Sequence, residues 1–397
     1  MKKFYILGIF LASILSTQSQ SFEADIETLI SEVSIDSLLS NVRILSGEDS
    51  VYINGEKTLI EHRVAGWGNS LAEDYLAERL EAYGMQAVRQ NYSSGATNVF
   101  GTLQGSVYPE QYYMICAHYD AVTYYAADDN ASGCATVLEA ARLLSEESFP
   151  YSVIFAFWDE EEIGLFGSSY YANYADNFGI NIDAVINIDM IAWDGNNDGL
   201  IEIHTKPVNQ SVPLANFMQN INETYAVGLS PSIKNPGTTA SDHSPFWNHN
   251  YSAILLIEGY YSNDFNPYYH TTGDRINHFN ISYFHKSAQL AIGSLASLAM
   301  ANITGTAELI TTTNNTLTNY PNPFSYQTTI GIHLSESSEV SIVLIDQLGR
   351  KVADIYSGEL TKGVHSIQPD IRLQNGNYHL IMQTNSERIT RKIAVVK

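Results

Sequence analysis

The sequence predicts an α/β domain, a mostly parallel mixed sheet with helices on both faces, followed by a small C-terminal all-β sandwich. Three observations carry this expectation. Four short apolar runs, YYMICA (112–117), YSVIFAFW (151–158), DAVINIDM (183–190) and SAILLIE (252–258), read as strands buried on both faces. Stretches of helical periodicity lie between them, and alternating elements of this kind build a layered α/β domain. After Ala301 the composition turns polar, and beyond that point apolar residues recur at period two between Gly-containing turns.

Taken in order, the chain opens with MKKFYILGIFLASILSTQSQ, two lysines before a short apolar core and a small, polar end, the layout of a secretory signal peptide over residues 1–20. The run from Phe4 to Leu15 is too short for a bilayer span. Residues 21–304 form the expected α/β domain, with helices over Ser70–Tyr83, Gly133–Glu147, Val212–Tyr225 and the long Ala- and Leu-rich Ile281–Asn302. A linker follows at 305–318, and then a sandwich at 319–397, whose strands are EVSIVLID, GVHSIQP, GNYHLIMQT and RITRKIAVV. No segment after the signal peptide is apolar and long enough to cross a membrane.

Bulk properties set the remaining bounds. A chain of 397 residues, 45% of them apolar, can bury a full core and divide into two domains. The net charge of −23 repels phosphate backbones and excludes nucleic acid as a partner. Cys116 and Cys134 both flank buried segments; a disulfide is allowed in an exported chain, and two free buried thiols fit equally well.

Open α/β sheets bind ligands at the carboxyl ends of their strands. The polar residues found there are AHYD (117–120), DDNASG (128–133), DEEEIG (159–164), IDM (188–190) and, after a longer gap, YYHTTGD (268–274). Each alone reads as a turn or a helix cap, since acidic residues complement a helix N-terminus and Asp and Asn favour turns. Five such sites with two histidines and several carboxylates are harder to explain as caps. A mixed imidazole and carboxylate set suits Zn²⁺, and a pair of ions sharing one carboxylate would need about five ligands.

In order and spacing these motifs resemble the co-catalytic zinc exopeptidases of peptidase clan MH, which include bacterial leucyl aminopeptidases, glutamate carboxypeptidase II and, more distantly, glutaminyl cyclase. The resemblance covers Arg63 to about Ala299. It implies two Zn²⁺ ions, with His118 and Asp189 on one, Glu162 and His270 on the other, and Asp129 bridging them ahead of a cis peptide to Asn130. It makes Asp120 the partner of the far His118 ring nitrogen and Glu161 the general base. The implied function is an aminopeptidase acting on peptide substrates. A glutaminyl cyclase-like transferase with a single zinc and a catalytically silent surface binding protein are the alternatives.

The last eighty residues carry a second resemblance. NYPNPFSYQTTI, LIDQLGRKV, GNYHLIMQT and the Lys-ended terminal strand are similar to the sorting domain that passes cargo through the type IX secretion system, which implies that machinery as a partner and a secreted or cell-surface location reached through the periplasm. Weaker signals remain. SDH (241–243) resembles a segment near the family's substrate pocket and equally suits a structural pair. DGNNDGLIE (194–202) opens like a loop for an additional Ca²⁺, but Thr205 stands at its twelfth position, where the closing acid belongs. His62, His204, His249, His278 and His285 show no partner pattern, and the tyrosines of 124–125 and 258–269 are expected to line the cleft with an apolar wall.

Overall fold

The computed structural model describes residues 23–64, 69–262, 264–300, 315–320, 324, 328–334, 336–347, 349–369 and 371–395. The predicted signal peptide and most of the predicted linker, 305–314, lie outside these residues. Helices α1 (Ala24–Ser31) and α2 (Ile35–Leu45) lead into a hairpin, β1 (Val51–Ile53) and β2 (Glu56–Thr58), and then α3 (Ser70–Ala82). The main domain continues with β3 (Val88–Ser93), β4 (Ala96–Leu103), β5 (Tyr108–His118), α4 (Gly133–Leu144), β6 (Tyr151–Trp158), α5 (Phe166–Phe178) and β7 (Asn181–Ile188). It closes with β8 (Leu200–His204), α6 (Ser211–Thr224), β9 (Ser230–Lys234), α7 (His243–Asn248), β10 (Ala253–Ile257) and α8 (Ile281–Met300).

The eight strands β3 to β10 form one sheet in the order β3-β4-β6-β5-β7-β10-β8-β9. The four apolar runs are its centre, and they pair parallel: β6 with β5, β5 with β7, and β7 with β10. Flanking pairs β3–β4, β4–β6 and β10–β8 are antiparallel. These outer strands escape sequence reading because β3, VRQNYS, is mostly exposed and carries no continuous apolar run.

Both faces of the central strands are covered, as their uninterrupted hydrophobicity requires. Tyr113, Ile115 and Ala117 of β5 join Val153, Phe155 and Phe157 of β6 in a core built with α1 to α4, α6 and α8. The alternate residues Met114, Cys116, Ile154, Ala156 and Trp158 meet α5 and α7 through Tyr171, Ala172, Phe246 and Trp247. Cys116 and Cys134 therefore lie on opposite faces of the sheet, and both are free and buried. Among the described residues no helix is long and apolar enough to cross a membrane.

The C-terminal part comprises β11 (Thr316–Tyr320), β12 (Thr329–Leu334), β13 (Ser338–Asp346), β14 (Lys351–Leu360), β15 (Gly363–Ile367), β16 (Gly376–Gln383) and β17 (Arg388–Val395). Two antiparallel sheets, β11-β12-β15 and β14-β13-β16-β17, enclose a core that includes Ile330, Ile332, Ile342, Leu344, Leu380 and Ile393. Strand β11 starts inside the stretch read as linker, because Leu317 alternates with polar neighbours and fills this core. β14 escapes sequence reading because none of its side chains is fully buried.

The turn from β6 into α5 is packed to contact. A Cβ added at Gly167 would sit 2.3 Å from Asn98 Oδ1 and 2.4 Å from the Asp159 carbonyl oxygen. Gly167→Ala is thus expected to cost about 1–3 kcal/mol through overpacking, read as a lower midpoint in chemical denaturation.

Candidate metal centre

The site forms where four parallel strands end together. β5 and β6 stay in register to the last pair, His118 opposite Trp158, so the segments that follow leave the sheet side by side. His118 closes β5, and Asp189 follows β7. Asp129 lies in the irregular turn before α4, and its peptide bond to Asn130 is cis. Glu161 and Glu162 lie in the turn after β6, and His270 comes from the long segment between β10 and α8, with φ +59°.

All seven residues singled out from the sequence converge. His118, Asp129 and Asp189 place one ligand atom each within 4.8 Å of one another, and Asp129, Glu162 and His270 do the same. His118 Nε2 is 3.5 Å from Asp129 Oδ1 and 3.4 Å from Asp189 Oδ1. His270 Nε2 is 3.3 Å from Asp129 Oδ2 and 3.1 Å from Glu162 Oε2. Asp129 therefore offers a different oxygen to each histidine.

These separations fit a metal. Ligand bonds of about 2.0–2.2 Å in tetrahedral array leave donor atoms roughly 3.4 Å apart. Glu162 Oε1 is also buried without a hydrogen-bond partner, a polar atom the protein itself leaves unsatisfied. Among the described residues, these two groups are the ones whose donors approach closely enough to hold an ion.

The electrostatics follow from crowding acids in a buried place. Burial pushes Glu162 up to about 9, with Asp129 adding to the shift. Burial also raises Glu161 well above its ordinary value; nearby His118 opposes this, while Asp242, Asp189 and Glu162 add to it. Burial works against a charged His118, but the carboxylates of Glu161, Asp189 and Asp120 prevail and hold its pKa high.

Asp120 organises the glutamates. Wholly buried, it lies 3.5 Å from His118 Nδ1 and accepts hydrogen bonds from the Glu161 amide at 3.0 Å and the Glu162 amide at 3.2 Å. The acidic run thereby divides by role. Asp159, the first of its four carboxylates, is a strut: it accepts from the Asn69 side chain at 2.6 Å and from the Thr97 amide at 3.0 Å. Glu160 turns outward and accepts from the Tyr92 hydroxyl at 3.2 Å.

Several supports carried no signal beyond their motif. Asp274 accepts from the amides of Asp128 and Asp129 at 3.0 Å, fixing the Asp129 turn. Ser241 donates to Asp189 Oδ2 at 2.7 Å, so the serine of SDH hydrogen-bonds a candidate ligand, while the buried Asp242 lies close enough to add to the raised proton affinity of Glu161. His243 instead faces the Thr238 carbonyl at 2.9 Å. Arg63, buried at 1% exposure, donates to the carbonyls of Leu45, Tyr119, Tyr125 and Ala126 and pins the loop between His118 and Asp129. Its partners are main-chain atoms, which no sequence pattern reveals.

The other histidines of the α/β domain hold structural contacts: His204 with Glu202 at 2.8 Å, His249 with Asp176 at 2.9 Å, His285 with the Val33 carbonyl at 2.7 Å. His62 lies edge-on to Tyr124 and His278 stacks on Tyr268. In the 194–202 loop, Asp194 accepts from the amides of Asp198 and Gly199 and from the Asn280 side chain.

Comparison with known proteins bears on the family and the fold. Residues 98–295 match the model of Peptidase family M28, and residues 318–396 match that of the secretion system C-terminal sorting domain. A probable leucine aminopeptidase of Trichophyton verrucosum is 25% identical over 70% of this chain and 76% of its own length. Leupeptin-inactivating enzyme 1 of Streptomyces exfoliatus is 34% identical over 47% of this chain and 42% of its own. A probable zinc metalloprotease of Leptosphaeria maculans, 27% identical, is matched over 44% of its length, so the chain spans less than half of that relative. Among solved structures, the Legionella pneumophila LapA aminopeptidase superposes with a TM-score of 0.60, 20% identity and coverage of 72% of this chain and 78% of that one. Porphyromonas gingivalis glutaminyl cyclase gives 0.56 at 17% identity, covering 67% and 99%. Both share the fold. The chain belongs to Peptidase family M28, a family with zinc metalloprotease and aminopeptidase members, and ends in a secretion sorting domain.

Proposed function

We propose that this chain is an exported zinc-dependent aminopeptidase that releases N-terminal residues from peptides. The observation that carries this reading is the pair of three-donor groups sharing Asp129, with Glu161 held beside them at the strand ends. In this reading residues 1–20 direct export, 21–304 form the peptidase domain, 305–318 link, and 319–397 engage the type IX secretion machinery, leaving the mature chain secreted or at the cell surface.

His118 and Asp189 would hold one zinc ion, Glu162 and His270 a second, and Asp129 both. When bound, such ions polarise the scissile carbonyl and make water acidic enough to act near neutral pH. The protein's part is to place the proton carrier. Asp120 fixes the Glu161 main chain, and burial raises the proton affinity of its carboxyl. A carboxyl so placed takes the proton of the attacking water and delivers it to the leaving amine. Asp120 also orients His118, as a carboxylate behind a ligating imidazole does. Tyr269, stacked on His270 with ring centres 3.7 Å apart, would offer an aromatic surface that favours an apolar N-terminal side chain. Completeness of both groups supports this reading over a single-zinc cyclase. The capped Asp194 loop is better explained as a turn than as a calcium site.

Glu161→Gln is expected to lower kcat by about two to four orders of magnitude while zinc content, read by atomic emission, stays at the wild-type level. A panel of aminoacyl anilides should be cleaved and their N-blocked counterparts spared; release of pyroglutamate instead would turn the reading to the cyclase. Stability gives a third check. With metal removed, Glu162 titrates near 9 in the native state and near its ordinary value, about 4.3, when unfolded, so the native state binds more protons between these limits. The contribution of Glu162 to metal-free stability should therefore be full below about pH 4 and be lost as pH rises towards 9, and zinc should flatten that loss in thermal melts compared between wild type and Glu162→Gln.

A further inference from the structure

Apolar side chains are left in solvent directly beside the candidate metal ligand Glu162. Ile163 is 54% exposed, Phe166 51% and Tyr170 41%, within eight residues of chain. Scattered exposed apolar residues are ordinary, but three within eight residues of a candidate ligand offer a binding surface. Phe166 and Tyr170 are one turn apart on α5 and share a face. The Phe166 ring lies over Gly164, whose Cβ, if present, would be 3.2 Å from the ring Cζ.

This surface is held in place. Tyr170 stacks on Tyr92 with ring centres 5.3 Å apart. The Tyr92 hydroxyl donates to the Asp159 carbonyl at 3.0 Å and to Glu160 Oε2 at 3.2 Å, tying the stack to the turn that bears Glu161 and Glu162. Along α5, Phe166 and Tyr170 are roughly 6 Å apart at 1.5 Å per residue, and Ile163 lies in the turn just before them, which together offer a surface for two to three residues of extended chain.

We propose that the face made by Ile163, Phe166 and Tyr170 binds the second to fourth residues of peptide substrates, those beyond the scissile bond, and makes apolar side chains there preferred. The inference rests on the aminopeptidase reading: an enzyme that removes one N-terminal residue must let the rest of the peptide leave the site, and this ledge begins at the candidate ligand turn. Its apolar surface, in a chain of net charge −23, selects by dispersion and burial and not by charge.

The test uses the full chain and the substitutions Ile163→Ser and Phe166→Ser, both at exposed positions, with unchanged melting temperature as the folding control. Leu-Leu-Val-Phe, Leu-Ser-Asn-Ser and leucine p-nitroanilide are compared as substrates. For Leu-Leu-Val-Phe the double variant should lose about tenfold in kcat/KM, mostly through KM, with the anilide and the polar peptide changed less than about twofold. Equal losses on all three substrates, or none on the apolar peptide, would overturn the ledge. In a second arm, calorimetry follows binding of Leu-Leu-Val-Phe to Glu161→Gln protein with and without the two serine substitutions. About tenfold weaker binding supports the ledge and unchanged binding refutes it, even if wild-type protein hydrolyses nothing and the aminopeptidase reading falls.

Discussion

The site depends on one buried carboxylate that is not itself a candidate ligand. Asp120 stands between two strand ends: it lies against the His118 ring on its own strand and accepts the amides of Glu161 and Glu162 from the next. Two amide hydrogen bonds to a charged acceptor in a dry interior are strong, and losing the acceptor would leave both donors unpaired. The parallel pairing of β5 and β6 makes the arrangement reachable, because neighbouring strands that end in register bring their following turns within hydrogen-bond distance. Sheet geometry thus becomes site geometry through one side chain.

Around Asp120 the protein tolerates an unfavourable density of negative charge. Glu161, Glu162, Asp129 and Asp189 lie close together, with the rings of His118 and His270 facing them. Repulsion and desolvation show in the raised proton affinities of Glu161 and Glu162. Asp189 is the exception: burial would raise it, but His118 and the Ser241 hydroxyl hold it below its ordinary value. A divalent cation relieves such crowding.

Much of this was legible in the sequence. The central strands appeared because burial on both faces leaves an unbroken apolar run, and the site residues because strand ends concentrate chemistry. All five proposed ligands, Asp120 and Glu161 come together where the motif order placed them. What stayed hidden was of another kind. Strand β3 is mostly exposed, and β14 packs only partly buried side chains such as Ala353 and Ile355 against its core, so neither shows a clear apolar pattern. Asp159 looked like one more acid in the run, and only its contacts with Asn69 and Thr97 show it to be structural. Arg63 acts on carbonyl oxygens, which are the same for every residue type.

Arg63 and Asn69 also redraw the boundary of the working unit. Both precede residue 98, where the match to the peptidase family begins. Yet Arg63 ties the Leu45 carbonyl at the end of α2 to the loop behind His118, and Asn69 anchors the strut at Asp159. A fragment cut to the matching segment would retain every candidate ligand but lose the guanidinium and the amide that set the two turns bearing them. The smallest piece that keeps the site in shape therefore extends back to α2, some fifty residues upstream of the region by which the family is recognised.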